Sequence, residues 1–221
     1  MKSGVFRGGS KIAEVSSSGA GEIKITSLDP EEMTRIEYEV DEILQTVPSR
    51  VWDGRSLPVP IHQIAREVYG LKVRHVGHDQ MKEVIGPAAG DGTISGLLLT
   101  EIGEIWINEW EAQHPEWGPA RKRFTIGHEL GHFVMHQTGR PTIYCRASEA
   151  GESLETEPTP RTVPEVEANT FSAALLMPAS LVRPQMKDGK VDAAHFAHLM
   201  KIFGASDKAM RRRVEALQTI S

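Results

Sequence analysis

Apolar positions recur at helical intervals in some stretches of the chain and at strand intervals in others, and these switches set out an order of elements. Ile36, Val40, Ile43, Leu44 and Val47 fall three or four residues apart, the period of one helix face. Asp29-Pro30-Glu31-Glu32 opens that helix with an N-cap, a proline in its first turn and two acids, and Pro48 stops it. A second helix covers 61–69 and ends at Gly70, with a strand at 71–76 behind it. Residues 94–100 and 104–108 read as two strands of a hairpin joined by Glu101-Ile102-Gly103. From 121 to 137 there is no proline, and Phe124, Ile126, Leu130, Phe133 and Val134 carry a helical period. Helices resume at 165–176, 179–183, 192–202 and 207–218. The pattern predicts an α+β fold: a small, mainly antiparallel sheet packed on helix 121–137, with further helices C-terminal to it.

The stretches without periodicity divide the chain. Residues 1–28 are rich in Gly and Ser and read as a flexible arm with one short strand at 22–26. A Gly-rich loop runs from 86 to 92. Residues 140–164 are polar and proline-bearing, with Glu149, Glu152, Glu155 and Glu157 among them, too long for a bland connector. They read as a mobile loop beside the site. The expected division is an arm at 1–28, a helix and linker at 29–57, a core at 58–178 and a C-terminal helical segment at 179–221.

Composition excludes more than it selects. At 221 residues, 39% of them hydrophobic and 25% charged, the chain can bury one moderate core. A net charge of -5 argues against nucleic-acid binding as the main task. Lys208 with Arg211, Arg212 and Arg213 reads as a solvated basic helix end. The single cysteine, Cys145, excludes an intramolecular disulfide and favours a reducing compartment. No run approaches the ~20 apolar residues that cross a bilayer, and the N-terminus has no signal-peptide pattern, so a cytoplasmic location is expected.

The chemistry concentrates in His128-Glu129-Leu130-Gly131-His132. On a helix of ~3.6 residues per turn, two histidines four apart share one face. Such a pair holds one zinc ion, and the glutamate beside the first reaches a water on it. A catalytic zinc takes a third protein ligand, and two acids on the helix at 165–176 compete for the role. Glu165 is favoured because Asn169 follows one turn later, where its amide accepts from a ligating histidine. Glu167 shares its face with Phe171, Ala174 and Leu175, which read as core, and is the alternative. His136 continues the ladder of His128 and His132 and reads first as a polar face residue, with support of a ligating side chain as the alternative. His195 and His198 read as surface or packing histidines. Tyr144 is a weak oxyanion candidate, and Cys145 reads as a small apolar residue. The strand at 104–108, with Ile105, Trp106, Ile107 and Asn108 shortly before the motif, is expected to be the sheet edge that holds an extended substrate.

Three blocks in order carry a resemblance. Arg123-Phe124-Thr125-Ile126-Gly127 precedes the motif; Glu165-Val-Glu-Ala-Asn169-Thr-Phe171-Ser-Ala-Ala-Leu-Leu-Met177-Pro178 follows it; Phe203-Gly-Ala-Ser206-Asp-Lys-Ala209-Met-Arg-Arg-Arg213 closes the chain. Over about residues 58–217 the sequence resembles the ImmA/IrrE family of metallopeptidases. The resemblance implies a zincin-like core at 58–178 and a helix-turn-helix-like segment at 179–221. It also implies a metal held by His128, His132 and a downstream glutamate, and cleavage of a regulatory protein. Substrates in that family are often helix-turn-helix repressors, cleaved on DNA damage or mobile-element signals. Gly127 stands where members commonly carry alanine. The expected cofactor is zinc, with manganese as the alternative; Glu129 is the expected general base. A rival reading keeps the fold and the metal in a silent binding module, against which the intact Glu129 counts.

Overall fold

The structure, a computed structural model, describes residues 23–86, 93–136, 143–148, 161–187 and 191–220, without the side chains of 143–148. It is α+β. Residues 1–22 of the expected arm lie outside the described part, but its last residues are tied down. Strand β1 (Lys24–Ile25) pairs antiparallel with Arg161 and Thr162, and both Ile25 and Leu28 are buried. Helix α1 (Pro30–Thr46) starts as the sequence expects, with the Glu32 N–H donating to Asp29 Oδ1 at 2.9 Å. It buries Ile36, Val40 and Leu44 in the main core.

Next come α2 (Ile61–Glu67), β2 (Lys72–Val76), α3 (His78–Ile85), β3 (Thr93–Leu99), β4 (Glu104–Asn108), α4 (Glu109–Gln113), α5 (Gly118–Met135) and β5 (Ile143–Ser148). The four larger strands stand in the order β2-β4-β3-β5, parallel between β2 and β4 and antiparallel in the other two pairs. Leu98, Ile105 and Ile107 face α5 and the main core, while Ile94, Leu97, Leu99 and Trp106 face Met81 and Ile85 of α3. The sheet is therefore covered on both faces. Helices α3 and α4 are not anticipated in the sequence reading. Met81, Val84 and Ile85 of α3 keep a helical spacing, but eight residues hold only that one repeat, and α4 spans barely more than one turn.

Two expectations need correction. The strand carrying Ile105, Trp106, Ile107 and Asn108 is not an edge: β2 and β3 flank it on either side. Three consecutive apolar residues, buried on both faces, are the mark of an interior strand rather than a half-exposed one. The polar stretch at 140–164 is not all loop either. It holds β5 at the sheet edge and β6 (Arg161–Thr162), while 149–160 lie outside the described residues.

After β6 come α6 (Val163–Leu176), α7 (Ala179–Val182), α8 (Ala193–Phe203) and α9 (Asp207–Thr219). Arg213 of α9 is not part of a solvated basic end as the sequence suggests but is buried; its Nε donates to the Met177 carbonyl at 2.8 Å and its guanidinium pairs with Glu37 of α1. One side chain thus ties the first and last helices to the end of α6.

Helices α5 and α6 pack at close range. A Cβ added at Gly131 would fall 3.1 Å from Phe171 Cδ1 and 3.2 Å from Ala168 Cα, and one at Gly127 would fall 2.5 Å from Ser172 Oγ. That hydroxyl donates to the Phe124 carbonyl at 2.9 Å, so it occupies the space an alanine at 127 would need. Gly127→Ala is expected to lower the melting temperature. Overpacking costs about 1–3 kcal/mol, more than the ~1 kcal/mol gained by replacing a helical glycine. Ser172→Ala should reverse the loss. A lone Gly127→Ala variant that melts at or above wild type in calorimetry would contradict this packing.

Candidate metal centre

Three polar groups converge where α5 meets α6. His128 and His132, one helical turn apart on α5, are 0% and 1% exposed. Their Nε2 atoms stand 3.1 Å apart. Glu165, in the first turn of α6, brings Oε1 to 3.0 Å from His132 Nε2 and Oε2 to 3.4 Å from His128 Nε2. Donors that share one four-ligand ion at about 2.05 Å stand about 3.3 Å apart, and separations of this size place the three side chains within reach of a single ion.

Proton positions give the same answer. Asn169 Oδ1 is an acceptor 3.1 Å from His128 Nδ1, so His128 donates there and keeps its Nε2 lone pair. Glu167 Oε2 lies 2.8 Å from His136 Nε2 and can only accept. His136 therefore holds its proton on Nε2 and accepts at Nδ1 from His132 Nδ1, 2.9 Å away. Two unprotonated Nε2 atoms at 3.1 Å repel unless a cation lies between them, and the donor set of two imidazoles and a carboxylate suits zinc. Burial pushes the Glu165 carboxyl up, but in the metal-free protein, once His128 and His132 are protonated on Nε2, their hydrogen bonds and charge outweigh burial and hold the group well below the usual carboxylate range. Burial pushes His136 below the ordinary imidazole range, against the opposing pull of Glu167.

A family model described as the IrrE N-terminal-like domain, a peptidase family, matches residues 90–215, more than half of the chain. The chain belongs to this family. No curated protein matches it. Within this metallopeptidase-like domain the three converging residues form a candidate metal site. Asn169 serves His128, while Glu167 turns away from the three and serves His136. The repeat of histidines at 128, 132 and 136 signals a supporting role for His136, but its partner Glu167 does not show in the sequence.

Glu129 of the IrrE-like domain is fully buried, and its carboxylate lies against β3. A Cβ on Gly96 would come within 2.7 Å of Glu129 Oε1 and closer still to Thr125 Cγ2. The register of β3 against β5 shifts between Ile94 and Gly96. Ser95, at that irregularity, accepts from Arg121 Nη2 at 3.1 Å. A bulge beside a site re-aims the strand, and here it brings bare backbone against the glutamate. Asn108 serves structure: its side chain caps α4 and donates to the Ile94 carbonyl at 2.8 Å. Tyr144 and Cys145 fall in β5, with side chains outside the described part. His195 lies on α8 with its ring 3.1 Å from Gln185 Oε1 and 5.8 Å from that of His198, away from the three converging groups. Gly96→Ala is expected to cost about 1–3 kcal/mol of stability, read as a lower midpoint in denaturant. An unchanged midpoint would mean that the strand does not press on Glu129.

Proposed function

We propose that the chain is a zinc-dependent metalloendopeptidase that cleaves a regulatory protein. In this reading His128, His132 and Glu165 hold the metal, with manganese as the alternative ion, and Glu129 is the general base. The observation that carries it is the convergence, where α5 meets α6, of two imidazole nitrogens 3.1 Å apart with a carboxylate whose two oxygens stand 3.0 Å and 3.4 Å from them. Zinc, when bound, supplies a Lewis acid and lowers the pKa of a water from about 15.7 towards ~7. Glu129 takes the proton of the attacking water and delivers it to the leaving amine. Its burial against β3 keeps the carboxylate in one place, and Asn169 keeps His128 turned the right way. An extended substrate segment adds to β5, which pairs with β3 alone among the described strands.

The substrate in this reading is a helix-turn-helix repressor or antitoxin-like partner, which places the enzyme in stress-linked transcription control. A net charge of -5 suits a basic protein partner better than it suits DNA. A lone cysteine suits the reducing cytoplasm. Among the described residues no helix is long and apolar enough to cross a membrane.

Glu129→Gln tests the assignment. The change is nearly isosteric, so fold and metal content should persist while cleavage falls by about 10²–10⁴. The assay incubates wild type and variant, at matched zinc content, with a helix-turn-helix repressor as candidate substrate and reads fragments by mass spectrometry. Equal cleavage by both sinks Glu129 as the base. Tight binding by both without cleavage supports a silent binding module instead.

A further inference from the structure

A line of polar contacts runs from the converging groups to the surface of α1. It passes from His132 Nδ1 to His136 Nδ1 at 2.9 Å, and from His136 Nε2 to Glu167 Oε2 at 2.8 Å. The other oxygen of Glu167 stands 4.0 Å from Arg35 Nη2, and Arg35 in turn bonds Glu32 and Glu39 on its own helix. Each inner link has one chemical sense. The carboxylate fixes the proton of His136 on Nε2, and His136 then accepts from His132. The Nε2 lone pair of His132 is thereby aimed at the point it shares with His128 and Glu165. Asn169, a neutral amide, performs the same service for His128 at 3.1 Å.

The two supports differ in kind. A charged carboxylate behind an imidazole raises the basicity of the group in front of it more than a neutral amide does. The outer end of the line also lies apart from the rest. Arg35 belongs to α1, upstream of the residues that the family model matches. The N-terminal helix meets the line at this outer end, where the half-exposed Arg35 stands 4.0 Å from the acid that serves His136.

We propose that His136 and Glu167, anchored by Arg35, are positioning residues that hold His132 in the tautomer and orientation needed to bind the metal. The inference rests on the reading of His128, His132 and Glu165 as metal ligands. It makes His136 more than a helix-face residue, and it assigns Glu167 to the support of a ligand rather than to the metal.

The test measures zinc affinity of the full chain, stripped of metal, by competition with a chromophoric chelator. Melting of the metal-free protein serves as the structural control. His136→Phe keeps the ring but offers no acceptor; affinity should fall ~10–100-fold with the metal-free melting temperature held. His136→Gln, whose amide accepts from His132 and donates to Glu167, should recover most of the loss. Glu167→Ala should weaken binding in the wild-type background and add little to His136→Phe, as members of one network do. Arg35→Ala should give a smaller drop that vanishes when Glu167 is already absent. In the cobalt-substituted protein, the visible absorption bands should shift in His136→Phe and return in His136→Gln. Unchanged zinc affinity in His136→Phe overturns the proposal, and so does equal loss in both His136 variants. Wild type that binds no zinc overturns the metal centre itself, a failure distinct from that of the relay.

Discussion

The site depends on how closely α5 and α6 approach. Glu165 has a short side chain and starts from a different helix, so its carboxylate reaches His128 and His132 only if the two backbones nearly touch. Gly127 and Gly131 on one side, with Ala168 and Ser172 on the other, permit that contact. The consequence is a convergence of two lone pairs and a carboxylate in a buried place. Buried polar groups are costly unless paired, and this arrangement is best paired by a cation. Packing and chemistry are therefore one constraint here, since the small residues that let the helices close also decide where the donor atoms meet.

Other elements hold that contact from outside. The sheet presses on α5 through β3, where the register shift near Gly96 places bare backbone over Glu129. Helix α3 closes the opposite face of the sheet and keeps its middle strands dry. Arg213 ties α1 and α9 to the end of α6. Removing one partner from a buried pair of this kind leaves an uncompensated charge, so the terminal helices belong to the same cooperative unit as the site. Helix α1 adds its own contact through Arg35 and Glu167.

What the sequence made legible follows from where each signal is local. The cap of α1 at Asp29, the hairpin of β3 and β4, and the i, i+4 histidines need only a few neighbouring residues. Asn169, one turn past Glu165, was readable for the same reason, and it does meet His128. Signals that depend on distant partners were not readable. Whether Ile105-Trp106-Ile107 lies at an edge depends on β2, whose paired residues stand 32 positions upstream, although its unbroken apolar run was a hint. The role of Ser172 beside Gly127 shows only when α5 and α6 are brought together. His136 reads as a face residue until Glu167 is seen to stand behind it.

The most direct measurement is a crystal of the zinc-loaded chain with anomalous differences recorded on both sides of the zinc absorption edge. The account predicts one strong peak per chain, about 2.0–2.2 Å from His128 Nε2, His132 Nε2 and a Glu165 oxygen, with Glu167 bonded to His136 and not to the metal. A peak bound to Glu167, or one away from the groove between α5 and α6, would contradict it.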